Sequence, residues 1–422
     1  MRLAFIIAPV LALCCGTSLS AQGGSQGHGA PTPISSAVEE AENNNTQIMA
    51  AEHSWNAAEH IARQIRALAN SQVTQLNNHA GPTNPHASSL NCNPTCAGVA
   101  TPQSSPHAAE LQPWAEAAQR EADAKHAQVN VFRSNIADRV KTIYLRLAYL
   151  YQMYDLDDRG AADLAAIIQT ELSKYSLGIG SQADVLQAQL ERTKLLRQTT
   201  LDHEEVGGLQ ADLKALLHRQ PDSPDIIPES IALTKLKRSA SDLLQIASKQ
   251  NPLLSADSRM IEAQSAQLDA ARSGNNSDFN LGYTFPQVGE RNGDDFVLSF
   301  NRQLPIGPGE DDRIVAATER VEGSRSMTGE DHLRQLAEVQ KQYVLVTSSE
   351  ELIRECKEGL IPQSRGVYQS KLAGYESSLE KFSAVIEAFQ DEINYESEYL
   401  QALLEHETAL AHLETLTGEQ LR

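Results

Sequence analysis

Long stretches of the chain place an apolar residue at every third or fourth position. From Phe132 these positions are Ile136, Val140, Ile143, Leu147, Leu150 and Tyr154. The spacing alternates between three and four, the seam of a coiled coil. It predicts a helix over about 107–172, roughly 100 Å long at 1.5 Å per residue. A second seam starts at Ile386 and runs through Phe389, Ile393, Glu396, Leu400, Leu403, Glu407 and Leu410. Glu396 and Glu407 interrupt it, facing water, another subunit or a lumen. A compact globule has no use for helices this long, whereas a rod does.

One short region changes period. Phe279, Leu281, Tyr283 and Phe285 alternate with Asn280, Gly282 and Thr284. After a turn-rich stretch, Phe296, Leu298 and Phe300 alternate again. Period two predicts strands with one apolar face, here a hairpin over 279–304. Pro305 ends it, because proline cannot donate to a ladder. Strands of about nine residues with one apolar face suit the wall of a membrane barrel. The other reading is an ordinary hairpin packed on a helix.

The pattern occurs twice. Asn45-Thr-Gln-Ile48 opens one helical segment that runs to Arg66, and Asn251-Pro-Leu-Leu254 opens another that runs to Arg272. Further on, Gly178-Ile-Gly-Ser181-Gln-Ala-Asp184 matches Gly374-Tyr-Glu-Ser377-Ser-Leu-Glu380 at a slightly smaller offset. A duplicated unit with small insertions leaves this trace. The expected organisation is a signal peptide over 1–21, a flexible leader over 22–34, and a first repeat over 35–220. A linker over 221–234 and a second repeat over 235–422 complete it.

Composition narrows the function. The 422 residues carry 55 acids against 35 bases, a net charge of -20 that repels nucleic acid. Only 5% are aromatic, which suits Ala-, Leu- and Glu-rich helices rather than a large aromatic core. At the N-terminus, Arg2 precedes an apolar run that ends in small residues near Ser20 and Ala21, a secretory signal. The run is too short to span a bilayer, and no later run is long enough. Cys14 or Cys15 leaves lipidation open as an alternative.

Cys92 and Cys96 flank Asn-Pro-Thr in an exported chain, so a disulfide is the first candidate, contributing about 2 kcal/mol. The alternative is a soft-metal site with His79, His86 or His107, although the spacing matches no standard zinc pattern. Cys356 stands alone on a helix and reads as packing.

No cofactor is expected. Gly178-Ile-Gly180-Ser-Gln-Ala183 fits a dinucleotide fingerprint, but no β-branched strand precedes it. Metalloprotease, nucleophile-elbow and phosphate-loop motifs are missing. The chain does not read as an enzyme.

In order, these pieces resemble the TolC family of outer-membrane efflux ducts. The resemblance covers nearly the whole mature chain. The segment from Lys174-Tyr175 to Ala188-Gln is similar to the family's helix–turn–helix tip. Asn251-Pro, Leu304-Pro305-Ile306 and Leu413-Glu-Thr-Leu-Thr-Gly418 support it. The implied fold is mainly α, with long antiparallel coiled-coil helices in two tandem repeats. Inserted β-hairpins form part of a trimeric outer-membrane barrel.

The resemblance further implies a homotrimer in the outer membrane that reaches into the periplasm. Its partners would be membrane lipid, a periplasmic adaptor and an inner-membrane pump. Gly178, Gly180, Ser181, Gly374 and Ser377 fall at the docking tip, with Ser181 and Ser377 as caps for the helices that follow. Asp184 and Glu380 fall at the aperture, and Phe279, Leu281, Tyr283, Phe285, Phe296, Leu298 and Phe300 in the membrane strands.

One departure stands out. A first hairpin is due near 71–113, where six prolines, three histidines, Cys92 and Cys96 stand instead. The stretch either holds two poor strands around a long loop or marks a member without an open pore. The readings that remain are a passive export duct and a non-conducting exported rod of the same fold.

Overall fold

A computed structural model describes residues 31–70, 108–273, 278–284, 295–301, 308–377 and 379–421. The signal peptide with Cys14 and Cys15, the loop residues His79, His86, Cys92, Cys96 and His107, and Phe285 lie outside them.

Each half follows one plan. In the first, α1 (Ile34–Asn44) leads into α2 (Thr46–Asn70), then α3 (Ala108–Ser176) and α4 (Gln182–Leu216). In the second, α5 (Ala240–Gln250) leads into α6 (Pro252–Ser273), and strands β1 (Asp278–Thr284) and β2 (Asp295–Asn301) follow. Next comes α7 (Pro308–Glu355), one π turn (Cys356–Leu360), α8 (Ile361–Glu376) and α9 (Phe382–Thr417). Among the described residues no helix is long and apolar enough to cross a membrane.

The long helix α3 has 69 residues, and the run from α7 to α8 matches it end to end at an offset of 200, from Ser176 to Glu376. The earlier helices sit at an offset of 206, Ile34 against Ala240. The six-residue difference therefore falls between the second and third helix of each half.

The seam on α3 is the spine of the core. Ile136, Val140, Leu147 and Leu150 are at most 2% exposed. They pack with Ala37 and Ala41 of α1 and with Val206 and Leu213 of α4. Burying each such aliphatic side chain contributes about 1.5–3 kcal/mol. Lower on α3, Leu164, Ile167 and Ile168 meet Phe382, Ile386 and Phe389 of α9. Leu243 and Ala247 of α5 join Val339 and Val346 of α7 and Leu410 of α9 in a matching cluster.

The two glutamates in the α9 seam face their own chain. Glu407 is buried and accepts from the backbone N–H of Thr234 at 2.8 Å and from its hydroxyl at 3.1 Å. Glu396 accepts from Arg159 at 3.1 Å and from Arg365 at 2.6 Å, joining α3, α8 and α9. Cys356 is fully buried at the start of the π turn, as the packing reading required.

The segment between the halves is tightly held. Gln210 of α4 brackets Ile226, donating to its carbonyl at 2.7 Å and accepting its N–H at 3.0 Å. Thr32 donates to the Ile227 carbonyl at 2.8 Å, so the described end of the leader lies against this segment. The Tyr144 hydroxyl of α3 ties both together, donating to Thr32 O at 2.6 Å and accepting from Glu229 N–H at 2.8 Å.

Candidate functional site at the helical turns

Two turns lie at one end of the bundle, α3–α4 and α8–α9. Their backbones are equivalent at the offset of 200. Ile179 and Gly180 N–H groups both donate to Lys174 O, at 3.0 and 3.1 Å. Leu379 and Glu380 N–H groups both donate to Gly374 O, at 2.8 and 3.3 Å. The structural partner of Gly180 is thus Glu380, not Gly374, and the sequence match of Gly178 with Gly374 is four residues out of register.

The glycines serve different ends. Gly178 alone needs conformational freedom, with φ at +75°. Gly180 is needed for clearance, because a Cβ there would lie 2.8 Å from Tyr175 N and 2.9 Å from Lys174 Cβ. Gly374 is helical, and its Cβ would lie 2.7 Å from Glu380 Cγ. One close contact recurs in both turns, with its glycine on opposite sides.

The serines also part company. Ser181 caps α4, its hydroxyl accepting from Ala183 N–H at 3.1 Å. Ser377 does not cap the following helix. Its hydroxyl donates back to Ala373 O at 3.0 Å, and Lys381 starts α9 without a side-chain cap. The register difference explains this, since the counterpart of Ser181 is Lys381.

Behind the turns lies a polar knot. Buried Glu171 accepts from the Tyr375 hydroxyl at 2.5 Å and from Lys174 at 3.2 Å, and Lys174 stands 3.7 Å over the Tyr375 ring. Burial, the Glu171 charge and the bond to Glu171 all raise the Tyr375 pKa, so the phenol stays neutral. Asp184, half-buried in the first turn of α4, has its pKa raised by burial and by Glu171, with Lys174 opposing. Glu380 pairs with Lys371 at 2.8 Å. The two aperture candidates are therefore not equivalent: Asp184 sits inside a helix, and Glu380 precedes one.

Sequence reasoning passed over the most exposed residues here. Leu177, Ile179 and Leu379 are 73%, 75% and 83% exposed. The signal was available, because a leucine or isoleucine inside a Gly/Ser turn has no helix face to pack on. Such residues suit contact with another protein.

The hairpin sits between α6 and α7, about 100 Å along the α7–α8 run from the second turn. Its strands pair antiparallel, with Phe279 opposite Phe300, Leu281 opposite Leu298 and Tyr283 opposite Phe296. The predicted apolar positions thus fall in register. The Gly178–Ala183 fingerprint straddles a helix–turn–helix that α3, not a strand, leads into, which removes the nucleotide reading. Among the described residues no cluster of His, Cys, Asp and Glu has metal-binding geometry.

No protein-family model matches the chain, and no curated relative matches it. Solved structures do. The outer-membrane channel OprN superposes with a TM-score of 0.72 at 14% identity, covering 91% of this chain and 89% of its own. CusC, described for transmembrane channel formation, gives 0.72 at 15% identity over 95% and 96%. The outer membrane protein VceC from Vibrio cholerae gives 0.70 at 16% identity over 92% and 97%. OprN and CusC are both described as channels. This chain has the fold of the TolC-like outer-membrane efflux channels.

Proposed function

We propose that this chain is one subunit of a homotrimeric outer-membrane duct that passively carries substrates out of the cell. The observation that carries this reading is the polarity of the rod. A hairpin lies at one end, and two equivalent turns with exposed leucine and isoleucine lie at the other. Seven-residue strands span roughly 23 Å, close to the apolar band of an outer membrane. Among the described residues the two-stranded sheet has both edges unpaired, which lipid does not tolerate, so copies close the barrel together.

The opposite end then reaches into the periplasm. Leu177, Ile179 and Leu379, with the turn residues Gly178, Gly180, Ser181, Gly374 and Ser377, form its docking surface for a periplasmic adaptor. The adaptor links the duct to an inner-membrane pump, which supplies the energy. Asp184 and Glu380 from three copies ring the aperture and gate it electrostatically, with each Glu380 charge balanced by its own Lys371 at 2.8 Å.

The test is the native mass of the mature protein extracted by detergent from the outer-membrane fraction. A trimer is expected, and deleting 279–304 should abolish membrane insertion. A folded monomer in the periplasmic fraction would defeat the duct and favour a non-conducting rod.

A further inference from the structure

Just below the hairpin, the paired helices α3 and α6 have two unlike faces. On one, Arg120 of α3 and Arg259 of α6 both pair with Glu262, at 3.3 and 3.0 Å. Such a charged face belongs against water, which in a duct is the lumen. The other face is the floor of a cleft of about 330 Å³, where Trp114 and Ala117 of α3 meet Gln264 and Ala271 of α6. Ile61 and Ile65 of α2 form one wall, and Arg313 and Arg320 of α7 form the other.

The charges in this cleft are not neutralised within the chain. Arg320 is exposed and makes no hydrogen bond or ion pair among the described residues. Arg313 donates to the Ala271 carbonyl at 2.9 Å and has no carboxylate partner among them. Glu121, which also lines the cleft, makes no ion pair among them either. The apolar groups are open as well: Ile61 is 54% exposed, and Trp114, one of two tryptophans in the chain, is 39% exposed.

These groups lie in a fixed order along the rod. Ile65 stands five residues before the end of α2 at Asn70, and Trp114 six past the start of α3 at Ala108. Arg313 and Arg320 stand five and twelve past the start of α7 at Pro308, and Glu121 thirteen past Ala108. At 1.5 Å per residue, Ile65, Trp114 and Arg313 fall roughly 8–9 Å below the helix ends, and Arg320 and Glu121 roughly 18–20 Å. Long side chains lean toward the N-terminus of their helix, so Arg320 reaches up toward Arg313. Downward from the hairpin the cleft is apolar, then cationic, then anionic. An aminophospholipid has the same order: acyl chain, phosphate, ammonium.

We propose that the cleft holds an aminophospholipid of the periplasm-facing leaflet. Its phosphate lies between Arg313 and Arg320, its ammonium against Glu121, and an acyl chain over Ile65 and Trp114. This rests on the reading above that the hairpin enters the outer membrane, and it adds a lipid seat at the foot of the barrel. Arginine offers phosphate a planar fork of donors, and tryptophan favours the membrane–water interface. Basic pockets between helices beside a bilayer take lipid headgroups in the same way.

Native mass spectrometry of the full-length protein, extracted from the outer-membrane fraction in mild detergent, tests the proposal. Each chain should keep one phosphatidylethanolamine through washing. Arg320→Ala should lower that occupancy by about tenfold or more, the effect of one lost charged hydrogen bond. Trimer mass and helix content should not change, because Arg320 has no partner within the described chain. With phosphatidylethanolamine and phosphatidylglycerol added in equal amounts, Glu121→Gln should move the preference toward the glycerol lipid, which has no ammonium. A trimer that carries no phospholipid, or that keeps it equally after Arg320→Ala, overturns the proposal and leaves the duct standing. A site that takes inorganic phosphate alone overturns it too, and a preference unmoved by Glu121→Gln overturns the choice of headgroup. A protein absent from the outer-membrane fraction defeats both readings.

Discussion

The side chain of Asn251 donates to the carbonyl of Leu416 at 2.9 Å. The same side chain accepts the N–H groups of Leu253 and Leu254 at 2.9 and 3.1 Å, capping α6 while holding the end of α9. Asn45 repeats the arrangement in the first half, donating to Leu216 O at 3.0 Å and accepting Gln47 N–H at 2.9 Å. Two buried asparagines thus lock the start of one rod helix to the end of another.

Asn251→Ala should therefore cost more than a lost cap. A cap contributes about 1 kcal/mol, and a buried carbonyl left without its donor adds about 1–3 kcal/mol. The expected loss is roughly 2–4 kcal/mol, and Asn45→Ala should match it. Thermal melts of the two variants check this. A loss no larger than that of an exposed cap, such as Ser181→Ala, would mean that the carbonyl bonds contribute nothing.

The asparagines were legible in the sequence because each precedes an amphipathic segment, and the duplication follows from that match. The long helices were legible because an apolar seam of period 3.5 has few other solutions. The partners of Glu396 and Glu407 were not. Arg159 and Thr234 lie far off in the chain, and a glutamate in a seam looks the same whether it faces a lumen or a buried threonine. The register of the tips was lost for a similar reason. Glycine answers to whatever crowds it, and Gly374 is crowded by a side chain six residues ahead, not by its own φ.

Asp157 of α3 should oppose stability at neutral pH. It is 3% exposed, and its Oδ2 has no hydrogen-bond partner among the described residues. Burial, then the charge of Asp202, raises its pKa to about 6. The folded chain thus holds a proton that the unfolded chain has released by about pH 4. Stability from this group is complete below that value and is lost as pH rises through about 6. Asp157→Asn removes the loss, so it should stabilise by about 2 kcal/mol at pH 7.5 and by little at pH 4. Melting temperatures at the two pH values decide it, and an equal shift at both would discard the ionisation argument.

His412 gives the opposite kind of group the same direction of pH dependence. Its Nδ1 lies 2.7 Å from Asp138 Oδ1, and that bond raises the imidazole pKa against the opposing effect of burial. Glu338 of α7 raises it further, and Lys341 lowers it. A raised histidine pKa gives stability that is full below about 6.5 and fades as pH climbs through the folded value. The contact joins α3 to α9, with α7 alongside. Asp138→Asn should flatten the decline of melting temperature above pH 6.5 while leaving the Asp157 transition in place. A decline of unchanged slope would assign the pH dependence elsewhere.

The turns offer the sharpest test, because one steric contact is solved in two ways. Gly374→Ala drives a Cβ to 2.7 Å from Glu380 Cγ, and Gly180→Ala drives one to 2.8 Å from Tyr175 N. The first obstacle is a side chain, so it can be removed. Gly374→Ala should destabilise the α8–α9 turn by about 1–3 kcal/mol, and adding Glu380→Gly should restore most of it. The second obstacle is backbone. Lys174→Gly clears only the contact at Lys174 Cβ and leaves Tyr175 N in place, so Gly180→Ala should not be rescued. Protease susceptibility at each turn, read with the melting temperature, separates the cases. Equal rescue in both turns would mean that the first turn relaxes its backbone as readily as the second moves a side chain, and the glycine at 180 would then need another reason.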